Sequence, residues 1–196
     1  MSLIVLIGAQ AVGKMTVGKE LESSGTGRLL FNHETIDTFA RFLGYGSTTF
    51  ALSDKMRKDL FHVFVTNTDT NTTDTIIFTV MIDFDSPDDT NFLRDISDIF
   101  LDADQDVFFV ELTAPLDTRI ERNVMPDRLA AKPSKRNVKK SQMMLLQSDH
   151  DFRLVSHPGE LEATFPNVHC TQIDTAKSTP ATSAHTINAF IKQYLA

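Results

Sequence analysis

Apolar positions along this 196-residue chain fall in short continuous runs, and the stretches between them carry a helical period. Leu3-Ile4-Val5-Leu6-Ile7 is apolar at every position, the mark of a strand buried on both faces rather than one. Five such runs predict strands over residues 3–7, 28–32, 75–82, 107–112 and 168–173. Helices are predicted to open at Gly13 and to span residues 36–43, 53–65, 90–101, 116–123 and 180–194. In the last of these, Ile187, Phe190, Ile191, Tyr194 and Leu195 recur as one stripe facing the core, and Thr179 is placed to cap it. Alternation of this kind predicts an α/β fold with three layers, α/β/α, around a five-stranded parallel sheet. The length suits a single domain over residues 1–196. Residues 66–74, rich in Thr, Asn and Asp, read as a connecting loop. Residues 125–140 are polar, carry Pro126 and Pro133, and read as a mobile flap, a lid segment at about 123–140.

Composition changes this picture little, but charge does. A hydrophobic fraction of 41% with 23% charged residues is ordinary for a folded globular chain. No apolar stretch approaches the length of a membrane span and the first residues lack the pattern of a secretion signal, so the cytoplasm is the expected location. Cys170 is the only cysteine, which excludes a disulfide framework and a thiolate zinc site, and it reads as core. Asn71-Thr72-Thr73 reads as loop. The net charge of -7 argues against general binding to nucleic acid or a membrane surface. Yet Arg119, Arg122, Arg128, Lys132, Lys135, Arg136, Lys139 and Lys140 lie in one segment, opposed there only by Glu121 and Asp127. An acidic chain has concentrated its positive charge.

Directly after the first strand stands Gly8-Ala9-Gln10-Ala11-Val12-Gly13-Lys14. A buried strand, a glycine-rich turn and a helix in that order form a phosphate-binding loop, in which free backbone N–H groups and the helix dipole face a nucleotide's phosphates. Gly8 and Gly13 let the backbone wrap the β-phosphate, and Lys14 is placed to reach the β and γ oxygens. ATP is the implied ligand, with Ala9, Gln10, Ala11 and Val12 lining it. The pattern departs at its last position, where Met15 replaces the usual Ser or Thr and Thr16 follows. A thioether is a poor ligand for Mg²⁺. Water, Thr16 or a carboxylate must then complete the metal's shell, or nucleotide is bound without fast transfer.

The run Lys14-Met15-Thr16-Val17-Gly18-Lys19-Glu20-Leu21 resembles the shikimate kinase and gluconate kinase branch of P-loop kinases. The whole chain resembles a group of small shikimate kinase-like P-loop ATPases and kinases. The matching pieces are the loop itself, Asn32-His33-Glu34-Thr35-Ile36, Ile77-Phe78-Thr79, Asp83-Phe84-Asp85, and Glu111-Leu112 leading to Arg119-Ile120-Glu121-Arg122-Asn123. The resemblance implies the nucleoside-monophosphate-kinase form of the P-loop nucleoside triphosphate hydrolase fold, with an arginine-bearing lid. It supplies no substrate.

Ligands of open α/β sheets sit at the carboxyl ends of the strands, which directs attention to where each predicted strand stops. The second ends at Asn32-His33-Glu34, where the shikimate kinase branch holds an acidic residue against the acceptor hydroxyl, so His33 or Glu34 is a candidate acceptor ligand, with Asn32 equally a helix cap. The third ends at Asp83-Phe84-Asp85-Ser86-Pro87, making Asp83 or Asp85 a candidate for holding Mg²⁺ or acting as base, while Asp88 and Asp89 read as a solvated turn. Arg57 shares a helix face with Leu60, Phe61 and Phe64, and the resemblance implies a grip on an acceptor carboxylate; a snorkelling rim residue is the alternative. His62 reads as structural. Arg122 and Arg128 are the candidates to close on the phosphates, with Arg119 supporting and Lys132 or Arg136 as additions. Together these residues point to an ATP-dependent kinase for the hydroxyl of a small metabolite, with Mg²⁺ held by Thr16 and Asp83 or Asp85. The alternatives are a nucleotide-gated regulator without kinase activity and, least favoured by the acidic total, a nucleic-acid end-kinase.

Overall fold

The computed structural model describes residues 1–126 and 137–194. Arg128, Lys132, Pro133, Lys135, Arg136 and Leu195 of the sequence reading lie outside the described residues, as does most of the segment read as a lid.

Five parallel strands form one sheet: β1 (Ser2–Ile7), β2 (Arg28–Leu30), β3 (Thr75–Val80), β4 (Asp106–Thr113) and β5 (His169–Asp174). They lie in the order β2-β3-β1-β4-β5, so the apolar run at the start of the chain becomes the central strand, paired with β3 on one side and β4 on the other. Its six residues are all buried, because helices cover both faces. On one face, Leu3, Val5 and Ile7 pack with Phe61 and Phe64 of α3 (Ser47–Thr66) and with Leu93, Ile96 and Phe100 of α4 (Pro87–Leu101). On the other, Ile4 and Leu6 pack with Val17 and Leu21 of α1 (Lys14–Ser23) and with Ile187 and Ile191 of the final helix, Pro180–Ile191. The three-layer architecture is therefore the predicted one.

Several element ends differ from the sequence pattern, and each difference has a local cause. β2 stops at Leu30, and α2 (Asn32–Leu43) begins four residues before the expected Ile36, with Glu34 in its first turn where the helix dipole favours an acid. His33 and Glu34 therefore sit on a helix rather than at a strand end. α3 begins at Ser47 instead of Ser53, because Thr49 and Ser53 are buried and Thr49 bonds back to the Gly44 carbonyl. α4 begins at Pro87 rather than Thr90: Ser86 accepts from the Asp89 amide, and proline suits the first helical position. α5 (Leu116–Asn123) agrees with expectation. α6 (Val138–Asp151) starts within the segment read as a flap and is capped by the Asn137 side chain. A short α7 (Glu160–Thr164) was not foreseen. The final helix, α8, takes Thr179 as cap, as predicted, but ends at Ile191. In the 66–74 loop, which contains a 3-10 turn at Thr68–Thr70, Asn71 donates to the Phe64 carbonyl and so closes α3. On α3 itself Phe61 and Phe64 are buried, but Leu60 is exposed and does not share their face.

Candidate active site

Gly8 and Gly13 take backbone angles of φ 149° and 108°, and Ala11 sits at φ 64° between them. These left-handed positions turn successive amides inward, which is the geometry of an anion nest at a helix start. A side chain at Gly8 would collide with the Leu112 carbonyl, so β4 leaves room only for glycine there. Gly18 faces Leu29 closely: a Cβ would lie 2.6 Å from one of its methyls. The Lys14 ammonium bends back over the loop and donates to the carbonyls of Gly8 and Ala9, the latter at 2.8 Å.

The loop is fixed from outside by residues of three later segments. Thr175, just after β5, donates its hydroxyl to the Val12 carbonyl at 2.7 Å. Arg122, at the end of α5, donates to that same carbonyl at 3.2 Å, to the Thr175 hydroxyl at 3.0 Å and to the Thr175 carbonyl at 2.8 Å. Gln10 donates to Ser148 of α6. Thr175 had no place in the sequence reading, since nothing near it in the chain marks it out.

The loop opens on a cleft of about 840 Å³ at the carboxyl ends of β1 and β3. One half is lined by Gln10 to Thr16, Arg122, Lys140, Thr175 and Ser178. Met15 and the exposed Thr16 stand here, at the helix start. The other half is lined by aromatic rings and by Asn32, His33, Asp54, Arg57, Asp88 and Asp89.

Solved structures match this fold over nearly the whole chain. A gluconokinase from Sinorhizobium meliloti superposes with a TM-score of 0.59 over 98% of this chain and 92% of its own, at 11% identity. An APS kinase from Mycobacterium tuberculosis, in complex with AMPPNP and APS, gives 0.55 over 97% of each chain at 14% identity. A shikimate kinase from Acinetobacter baumannii, in complex with shikimate, gives 0.52 over 97% and 93% at 17% identity. The chain has the P-loop kinase fold. No family model matches the sequence, and no curated protein does.

On this kinase fold the foreseen residues divide into those that line the cleft and those that brace it. Lys14, the loop, Thr16, His33, Arg57 and Arg122 come together around the cleft. Asp83 and Asp85 do not line it. Asp83 accepts from the amides of Asp85 and Arg153 at 3.0 and 3.1 Å, and Asp85 holds the Arg153 guanidinium at 2.8 Å. Their places at the cleft are taken by Asp88 and Asp89, read from sequence as a solvated turn. Burial raises the Asp89 carboxyl above its usual range, against the pull of the Asp83 amide, and the charges of Asp83 and Asp88 add to the rise. Arg119 also stays away from the cleft: it is buried, donates to the Ala114 carbonyl at 3.2 Å and pairs with Asp149 of α6. Glu34 faces a smaller hollow of about 320 Å³ beside Lys19 and Asp37, and burial raises its carboxyl. His62 is exposed on α3.

Arg57 lines the cleft as part of its wall. Its three nitrogens donate to Thr35 at 2.9 Å, Asp54 at 2.7 Å and the Asn32 carbonyl at 3.0 Å, which ties the first turn of α2 to α3. Burial outweighs the nearby Asp54 charge and lowers its pKa to about 10. Glu111, inside β4, is buried under donors from Ser156 and Gln172 and supports the far side of the sheet. Cys170 is partly buried, and burial pushes its thiol up to about 12, which makes it unreactive. Among the described residues no helix is long and apolar enough to cross a membrane.

Proposed function

We propose that this protein is an ATP-dependent kinase that transfers the γ-phosphoryl group to a hydroxyl of a small metabolite. The observation that carries the reading is the continuity of the cleft: the phosphate-binding loop forms one half and a walled, polar-edged chamber the other, so donor and acceptor fit end to end. The kinase activities of proteins with this fold support it.

Phosphoryl transfer needs alignment and charge neutralisation more than covalent chemistry. The loop amides and Lys14 hold the β and γ phosphates, Lys14 exchanging its two carbonyl partners for phosphate oxygens. Arg122 keeps the Val12 carbonyl turned away from the phosphates and adds positive charge nearby. The acceptor oxygen forms a bond to γ-phosphorus as the bond to the β–γ bridging oxygen breaks, and ADP leaves with that electron pair. The hydroxyl proton passes to a carboxylate, for which Asp89, with its raised carboxyl, and Asp88 are the placed candidates. The donor set fits Mg²⁺ as an ion that keeps much of its water: among the described residues no group of three or more His, Cys, Asp or Glu forms a metal cage, while Thr16, Asp88 and Asp89 offer oxygens at the cleft. When bound, the ion neutralises the β and γ oxygens.

ADP formation from Mg-ATP across a panel of hydroxylated metabolites, native protein beside Lys14→Ala, tests the reading. Turnover stimulated by one acceptor class and lost in Lys14→Ala supports a kinase. Met15 in place of a hydroxyl favours the alternative, a nucleotide-gated regulator, and nucleotide binding with no acceptor-stimulated turnover would establish that instead.

A further inference from the structure

The acceptor half of the cleft has a definite charge. Its rings include Phe31, Tyr45, Phe50 and Phe92, and its charged groups are Asp54, Asp88, Asp89 and Arg57. All three nitrogens of Arg57 are already engaged, one by Asp54, so the guanidinium acts as a strut rather than a hook for an anion. Three carboxylates thus face one committed cation. Burial raises the Asp54 carboxyl, although Arg57 and Lys58 pull it the other way, so positive charge in the chamber would relieve it.

A second observation concerns hydrogen bonding. Asn32 lines the same space, and its Oδ1 is buried with no hydrogen-bond partner among the described residues. An orphaned buried acceptor calls for a donor. An ammonium offers N–H donors and no acceptor, and aromatic faces attract it. A hydroxy acid would instead set its carboxylate against three others, where like charges are costly. A bare metal ion is a poor occupant, since no cage of ligands is present among the described residues.

We infer that the acceptor is a hydroxyl-bearing organic cation, an amino alcohol with an apolar or aromatic body, whose ammonium lies against Asp54 and Asn32. The inference rests on the kinase reading for the phosphorylated hydroxyl, but the cation subsite is separately measurable. 2-Amino-1-phenylethanol, its N-acetyl derivative and mandelic acid share a skeleton and carry positive, no and negative charge. 1-Amino-2-butanol and 2-hydroxybutanoate repeat the comparison without a ring. Each is tested as acceptor with Mg-ATP, and by calorimetric titration in the presence of Mg-ADP.

The amines are expected to exceed their uncharged and acidic counterparts in kcat/KM by about tenfold or more, the scale of a lost charge-assisted hydrogen bond. Asp54→Asn should shrink that ratio through KM rather than kcat. Because Asp54→Asn also removes a partner of Arg57, Phe50→Leu serves as a second variant, which keeps the apolar wall and removes a ring face; it too should raise KM for the amines. Preference for the acids or the N-acetyl compound would overturn the cation subsite and leave the kinase standing. Amine binding weakened by Asp54→Asn, without turnover of any acceptor, would sink the kinase and keep the subsite. Absence of both amine binding and amine turnover would overturn the inference.

Discussion

Three arginines that look alike in the sequence do three different things in the fold. Arg57 braces α2 against α3, Arg119 is buried against Asp149, and Arg122 clasps the phosphate-binding loop. Their roles were not legible because each depends on partners brought from elsewhere: Asp149 lies 30 residues beyond Arg119, and Thr175 lies 53 beyond Arg122. Spacing along a chain reports only neighbours on one helix. Arg119→Ala should therefore cost stability, about 2 kcal/mol given that Asp149 is partly exposed, seen as a lower urea midpoint with nucleotide affinity little changed. Arg122→Ala should do the reverse, weakening ATP binding by about tenfold for one lost charged hydrogen bond to the loop, with a smaller loss of stability. The glycines separate in the same manner. Gly8→Ala meets a backbone carbonyl that cannot move and should abolish ATP binding in a calorimetric titration, whereas Gly18→Ala meets only the flexible end of the Leu29 side chain and should be tolerated, its helix gain of about 0.5–1 kcal/mol offsetting the crowding.

At the scale of elements, the sheet was legible, while the starts of α2, α3 and α4 were not. β1 after Ser2 and β4 from Val107 to Val110 are continuous apolar runs, and a run of that kind has few other places to go. Helix starts depend on single caps, and Ser86 in front of Pro87 moved α4 three residues back, carrying Asp88 and Asp89 to the cleft in place of Asp83 and Asp85. What remains of the Asp83 turn is a brace. Arg153 binds Glu160 through two hydrogen bonds of 2.6 and 2.7 Å and Asp85 through a third, so the turn after β3 is locked to the start of α7. Hydrogen bonding from Arg153 holds the Glu160 carboxyl down to about 2 from its usual 4.5. A carboxyl lowered in the folded state adds stability above its unfolded pKa, and that stability is lost as pH falls through the folded value. Thermal unfolding should therefore move to lower temperature between pH 4.5 and about 2, and Glu160→Gln should flatten the loss over that window. An unchanged acid profile in Glu160→Gln would show that the brace contributes nothing.

For the whole molecule, the cleft is the product of distant segments. Its nucleotide half was readable because one local stretch, Gln10 to Thr16, builds most of it. Its acceptor half draws on the starts of α2 and α4, the middle of α3 and the end of β3, and no window of sequence contains that set. The net charge of -7 is likewise unevenly spread, with basic groups beside the loop and carboxylates opposite, so the cleft is polarised along its length. A ligand that bridges both halves should stabilise the fold by mass action. At a hundredfold excess over its dissociation constant, Mg-ATP should add about 2.7 kcal/mol, which for a chain of this size raises Tm by about 5–10 °C, and Lys14→Ala should lose most of that rise.

Phosphorus NMR of Mg-ATP incubated with the protein and a mixed pool of hydroxylated acceptors tests the kinase reading most directly, because it shows where the γ-phosphoryl group goes. The expected result is a Lys14-dependent decline of the γ signal with matching growth of a phosphomonoester distinct from inorganic phosphate. Growth of inorganic phosphate alone, or an unchanged γ signal while Mg-ATP remains bound, would contradict it.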